Sequence, residues 1–219
     1  VTNYNLGLVQ EKAGELSAAI SSFERVLELD SNHFEAGWRL GLAYSSRGRY
    51  DDSARVLARA ATLKNDFADI HRALGVVYEA QGDFDKAELA LRKAVALDPK
   101  DVASRINLSV VLINKHQESL AENLLLEALE IDSSSSKLHS VLGWAQLELG
   151  KYKLAQKSLE KAISLDDSNA YAHNNLGVVY QYLGHSEEAK QEFEAALRLN
   201  PQLDEARRNK GRFGKRETE

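Results

Sequence analysis

Glycine returns in this chain every 34 residues. Gly7, Gly41, Gly75, Gly143, Gly177 and Gly211 share one register, and Ser109 fills its single vacancy. Gly14, Gly48, Gly82, Gly150 and Gly184 share a second, with His116 in the gap. Together the two ladders hold eleven of the thirteen glycines. Other columns keep the same step. Leu6, Leu40, Leu74, Leu108, Leu142 and Leu176 precede the first ladder. Ala19, Ala87, Ala121, Ala155 and Ala189 form a small column, with Ser53 as its substitute. Phe23, Leu57, Leu91, Leu125, Leu159 and Phe193 form a large apolar one, followed by Val26, Ala60, Ala94, Ala128, Ala162 and Ala196. No insertion interrupts the register. A chain written this way does not close around one core; it stacks short units, each burying its apolar face against the next.

Each unit reads as two helices. In residues 68–101, Ile70, Leu74, Val77 and Tyr78 recur at three- and four-residue spacing, one apolar helical face. Gly82-Asp83 breaks the chain, because Gly tolerates the left-handed backbone that ends a helix and Asp suits the next N-cap. Phe84, Ala87, Leu91, Ala94 and Leu97 trace a second amphipathic helix, stopped by Asp98-Pro99. A glycine inside a helix costs up to about 1 kcal/mol relative to Ala, so the first ladder requires a packing reason, namely close approach of two backbones.

With Ala73-Leu74-Gly75-Val76-Val77-Tyr78 and Gly82-Asp83-Phe84-Asp85-Lys86-Ala87 as its two helix signatures and Leu97-Asp98-Pro99 as its turn, the chain resembles the tetratricopeptide repeat family. The resemblance covers six repeats, 1–33, 34–67, 68–101, 102–135, 136–169 and 170–203, and then the opening helix of a seventh. It implies an all-α fold, a right-handed superhelical solenoid of antiparallel helical hairpins, whose first helices line a concave groove that binds protein segments. Residues 204–219 read as a C-terminal capping helix and a mildly basic tail, with six basic and four acidic groups and an end that frays after Gly214. At the other end no cap precedes the first helix near Val1, so further repeats, a partner or self-association through that uncapped end are the expectations there. Repeat 102–135 is the least regular and is expected to change curvature or act as a hinge.

Composition narrows the chemistry. Zero Cys excludes a disulfide framework, Cys-ligated metal and thiol catalysis; it suits the cytosol, the periplasm or the cell exterior equally, and the expectation is the cytoplasm, with the periplasm as alternative. A net charge of −5 argues against nucleic acid as the main partner. No apolar run approaches the roughly 18–20 residues of a membrane span. His71, His139 and His173 share a column, but packed helices lie about 8–10 Å apart, too far for imidazoles to share a metal ion, so they read as helix-packing residues. Acid pairs such as Asp51-Asp52 and Glu187-Glu188 sit where second helices begin and favour the dipole there. There is no phosphate loop, nucleophile elbow or zinc-protease motif. The expectation is no catalytic residue, no cofactor and no metal.

What remains is the inner wall the resemblance implies. Its apolar and aromatic members are Tyr4, Leu8, Trp38, Leu42, Val76, Ile106, Val110, Ile113, Trp144, Leu147, Tyr171, Val178 and Tyr182; its polar members include Arg39, Arg72, Asn107, Lys137, Asn174 and Asn175. Both tryptophans of the chain are among them, and Trp, Tyr and Arg are the types enriched at binding hot spots. Truncating both tryptophans is expected to weaken binding while sparing helicity. Of the positions in the family's carboxylate clamp for chaperone tails, Arg72, Asn107 and Lys137 match, whereas Val76 and Val141 do not. The asparagine ladder of the protein O-glycosyltransferases is present at Asn5, Asn107 and Asn175 and broken at Arg39, Ala73 and Val141. The reading is a non-enzymatic protein–protein interaction scaffold, with a regulatory arm of a larger enzyme and a self-assembling module as alternatives.

Overall fold

The computed structural model describes residues 2–216, with side chains for 2–211. Among the described residues there are thirteen helices and no strand. First helices are α1 (Thr2–Lys12), α3 (Phe34–Ser46), α5 (Ala68–Ala80), α7 (Val102–Asn114), α9 (Ser136–Glu148), α11 (Ala170–Leu183) and α13 (Asp204–Arg216). Each of the first six is followed by its antiparallel partner: α2 (Leu16–Leu29), α4 (Tyr50–Leu63), α6 (Phe84–Leu97), α8 (Glu118–Ile131), α10 (Tyr152–Leu165) and α12 (Ser186–Leu199). The chain divides into two compact units, one up to Val111 and one from Leu112, and the division falls inside α7, in the irregular repeat. Val1 and residues 217–219, where the uncapped start and most of the expected fraying lie, are outside the described residues. None of the described helices is long and apolar enough to cross a membrane.

The first glycine ladder is explained by what faces it. A Cβ on Gly7, Gly41 or Gly75 would stand 2.6, 2.4 and 2.3 Å from Phe23, Leu57 and Leu91. In the second unit one on Gly143 or Gly177 would meet Leu159 at 2.5 Å and Phe193 at 2.7 Å. Each pair is sixteen residues apart, glycine on the first helix and large side chain on the second. All five large side chains are fully buried. Burying each one contributes about 1.5–3 kcal/mol, which offsets the helical cost of the glycine. At Ser109 the hydroxyl is satisfied by the Arg105 carbonyl at 2.8 Å, so the vacancy in the ladder leaves no unpaired group.

Turns repeat as faithfully. The second ladder, Gly14 to Gly184, has φ between +70° and +81°, and His116 adopts φ 57° where glycine is missing. A bulky side chain there is uncommon and strained, which marks that hairpin as the least comfortable of the six. Between repeats, the carboxylates of Asp30, Asp98, Asp132 and Asp166 and the amide of Asn200 accept the backbone N–H two residues on, at 2.8–3.1 Å. These bonds, joined by the Ser134 and Ser168 hydroxyls, hold Asp132 and Asp166 below the usual carboxylate range. The histidine column has a more specific role than helix packing. His71, His139 and His173 each place Nε2 at 3.0–3.1 Å from the carbonyl six residues earlier. Arg105 and Arg207, in the same column, donate to the carbonyls of Pro99 and Pro201. Five residues of one column thus tie the inter-repeat turn to the helix that follows it.

A tyrosine column on the first helices bridges backward. The Tyr44 hydroxyl donates to Glu24 and that of Tyr180 to Glu160, twenty residues earlier. Burial and the Glu24 carboxylate push Tyr44 up to about 12. Where the column holds Gln, its amide oxygen accepts from a serine of its own hairpin: Ser22 donates to Gln10 and Ser158 to Gln146. Gln146 also donates to Glu122, which is buried and paired with Lys151 at 2.5 Å. The irregular repeat therefore supplies the second unit with a buried acid, which pairs with a lysine of the next repeat.

Candidate functional site

The nineteen inner-wall residues fall into two groups, ten in the first unit and nine in the second, and of the latter Ile113 and Leu147 are buried and belong to the core. In the first unit the α3 and α5 helices are neighbours. Trp38 is half-buried, its ring set edge-on to Phe67 at 4.9 Å, and Phe67 meets Phe34 in the same way at 5.4 Å. Lys64 lies 5.0 Å from the Phe67 ring and Arg39 lies 5.2 Å from the Trp38 ring. Trp38 Nε1 and Arg39 Nε are buried without a hydrogen-bond partner among the described residues. Arg39 reaches Glu11 at 3.2 Å, and Arg72 pairs with Asp69 and, at 3.5 Å, with Asp101. Tyr4 packs against Phe23 and His33, and Leu8 joins the same cluster. Ile106 is 4% exposed and belongs to the core rather than the surface. Leu42, Asn107 and Val110 are half-buried, whereas Val76 is exposed.

In the second unit α9, α11 and α13 lie side by side. Tyr171 and Tyr182 are 59% and 62% exposed, and Lys137 is exposed near the start of α9. Tyr182 stacks flat on Tyr152, ring centroids 4.5 Å apart and planes 8° from parallel. Trp144 is half-buried, with Nε1 donating to Glu148 at 3.1 Å. Asn174 is buried; it donates to Asn175 and accepts from Asn209 at 3.0 Å, so its amide serves the α11–α13 contact and is not offered outward. Asn175 remains half-buried at the surface.

Register explains this sorting. The column running Tyr4, Trp38, Arg72, Ile106, Ser140 and Asn174 sinks between first helices: its last three members are buried. Four residues on, Leu8, Leu42, Val76, Val110, Trp144 and Val178 stay half-buried or exposed. The residues missed from sequence are Phe34, Phe67, Tyr152 and Glu148, which lie at helix ends and turns. Glu148 and Tyr182 share one column on neighbouring first helices, a signal visible in the 34-residue step. No group of three or more His, Asp or Glu stands together as a metal site among the described residues. What these faces offer chemically is aromatic surface, a few amides and charges at the helix ends, suited to non-covalent contact with another polypeptide.

Comparison with known proteins agrees with the repeat geometry. Family profiles described as tetratricopeptide repeat match residues 4–66, 39–102, 78–145 and 170–203, and one described as TPR repeat matches 145–184. No curated protein matches the sequence. Among solved structures, the chain is similar to one in the APC/C hetero-tetramer Cut9–Hcn1, with a TM-score of 0.83 and 21% identity, covering 97% of this chain and 42% of that one. The chain thus spans well under half the length of that relative. It is similar to YrrB, a TPR protein with an unusual peptide-binding site (TM-score 0.63, 21% identity, covering 86% of this chain and 97% of that one). It also resembles the structure of pilF from Pseudomonas aeruginosa (TM-score 0.77, 15% identity, covering 96% of each chain). With matched profiles running from residue 4 to residue 203 over hairpins that interlock glycine against leucine or phenylalanine, the chain belongs to the tetratricopeptide repeat family.

Proposed function

We propose that this protein is a non-enzymatic scaffold that binds a segment of another protein on the exposed faces of its first helices, chiefly those of α9 and α11. Its fold is typical of protein–protein interaction scaffolds. The observation that carries the finer reading is the exposure of Tyr171 and Tyr182 at the two ends of α11, large rings left in water, with the half-buried Trp144 on the neighbouring α9. Aromatic side chains held on rigid helices bury much area at little ordering cost, which is why they dominate interface energetics. Lys137 at the N-terminal end of α9 favours an acidic residue of the partner, and Asn175 supplies an amide for its backbone. YrrB, similar in fold, is described as having a peptide-binding site, and Cut9–Hcn1 is a hetero-tetramer; both descriptions support the reading.

The test is selection of 12-residue peptides from a displayed library on the whole chain, followed by affinity measurement on Tyr171→Ser/Tyr182→Ser. The double variant is expected to keep its circular dichroism and to bind selected peptides about tenfold more weakly or worse. Peptides that bind the variant unchanged would overturn the assignment.

A further inference from the structure

We propose that the C-terminal ends of α9 and α11 hold an arginine side chain of the partner polypeptide, its guanidinium stacked on Tyr182 and paired with Glu148. This rests on the reading that the first-helix face of the second unit is the binding face, and it names the chemistry recognised at one end of that face.

Four observations converge. Tyr182 is stacked on Tyr152 by one ring face and is nonetheless 62% exposed, so the opposite face is open. The Tyr152 contact fixes the ring, which removes most of the ordering cost of a further stack, and the electron-rich face of an aromatic ring attracts a cation. Glu148 is the last residue of α9, sits in the Tyr182 column one repeat earlier, and precedes Tyr152 by four residues. It is exposed, and its Oε1 accepts the Trp144 indole N–H, so the carboxylate is held in place. A carboxylate has about four acceptor sites, of which the indole takes one. Finally, α9 and α11 are neighbours, which brings their C-terminal ends to one corner.

Among the described side chains, the two lysines that flank Tyr152 are directed elsewhere. Lys151, next to Tyr152, is drawn to Glu122 at 2.5 Å. Lys153 follows Tyr152 by one residue on α10 and so points about 100° away around the helix. Arginine fits better than lysine because its planar group stacks on a ring while its edge pairs with a carboxylate. The arrangement is particular to the second unit, since the Glu148 column holds Ser46 and Ala80 in the first. With Lys137 at the other end of α9, about 16 Å away along the helix, the face is electrically polar. It selects a partner segment with an acid toward one end and an arginine toward the other.

The test uses the two tryptophans as built-in reporters. The whole chain, labelled with nitrogen-15, gives two indole N–H resonances, Trp38 and Trp144. Titration with the capped tripeptide acetyl-Ala-Arg-Ala-amide is expected to move the Trp144 resonance, through Glu148, and to leave Trp38 in place. The citrulline analogue, of the same shape without charge, is expected to move neither, and the lysine analogue to bind more weakly. Tyr182→Ala should weaken the arginine peptide about threefold to fivefold, and Glu148→Gln should abolish the response. Retained indole dispersion checks that each variant is folded. The proposal is overturned by no shift at saturation, by a citrulline or lysine peptide that binds as tightly, or by Tyr182→Ala leaving affinity unchanged. Library peptides that depend on Tyr171 and Tyr182 but not on arginine would remove this inference alone and leave the binding face standing.

Discussion

The two units share one packing scheme and differ in what their first helices show to solvent. In the first, the inner-wall groups are engaged with their own chain: Trp38 with Phe67, Arg39 with Glu11, Arg72 with Asp69 and Asp101. In the second, Tyr171, Tyr182 and Lys137 are exposed, and the stack of Tyr152 on Tyr182 leaves a ring face free. The same columns of a repeat can therefore be used for internal cohesion or for display. Which of the two occurs depends on the turn residues a column meets. Phe67 packs on Trp38 and Asp101 pairs with Arg72 in the first unit, whereas the matching Ser135 and Asn169 in the second are short polar side chains that cap α9 and α11.

This contrast breaks most readily at the tryptophan. Trp38→Ala removes one ring of a three-ring cluster and is expected to cost about 2–3 kcal/mol, read as a drop in the urea midpoint. Tyr182→Ala, which truncates a ring mostly in water, is expected to cost less than about 1 kcal/mol. Equal losses would mean that the two faces are not differently employed. A loss of that size at Trp38 would assign its ring to the core and leave the expectation of weakened binding with spared helicity to Trp144.

Next in size is the scheme the units share. Gly75→Ala places a methyl 2.3 Å from Leu91, and Gly143→Ala places one 2.5 Å from Leu159. Each is expected to destabilise by about 1–3 kcal/mol from overpacking, less about 1 kcal/mol of helix propensity. Gly211→Ala, with nothing within 4 Å, should be neutral or slightly stabilising. Thermal melts of the three variants check this. A stabilised Gly75→Ala would show that the helices can part to admit a methyl.

Much of this was legible in the sequence because it repeats. The helix pairs, the two glycine ladders and the large side chain sixteen residues beyond each helical glycine are all written several times, so one copy checks another. Depth was not legible. Ile106 and Asn174 share a helical face with Trp38 and Arg72, yet the first pair is buried, because spacing along a helix reports direction and not how far a neighbouring helix covers that direction. Nor was the engagement of Arg72, whose partner Asp101 lies 29 residues on in a turn, at a distance no helical period links.

The subtlest difference lies within one column. His71 and His173 make the same bond to the carbonyl six residues back, but their surroundings oppose each other. Burial, aided by the positive charge of Lys93, pushes His71 below its ordinary value of 6.5 against the pull of the Asn65 carbonyl. His173 is raised, chiefly because Glu192 accepts from Nδ1 at 2.5 Å, with burial and Arg198 opposing. The signs follow from linkage. A histidine lowered by folding stabilises its unit above about pH 6.5, and that contribution is lost as pH falls through the folded value. A raised histidine stabilises below about pH 6.5, and its contribution is lost as pH rises through the folded value. Proton resonances of the imidazole rings should therefore titrate on opposite sides of 6.5, His71 below and His173 above. Glu192→Gln should return His173 toward or below 6.5 without moving His71, since the amide still accepts a bond but brings no charge. Coincident titration of the two rings would mean that one column carries one electrostatic environment, and the difference between the units would then be confined to their surfaces.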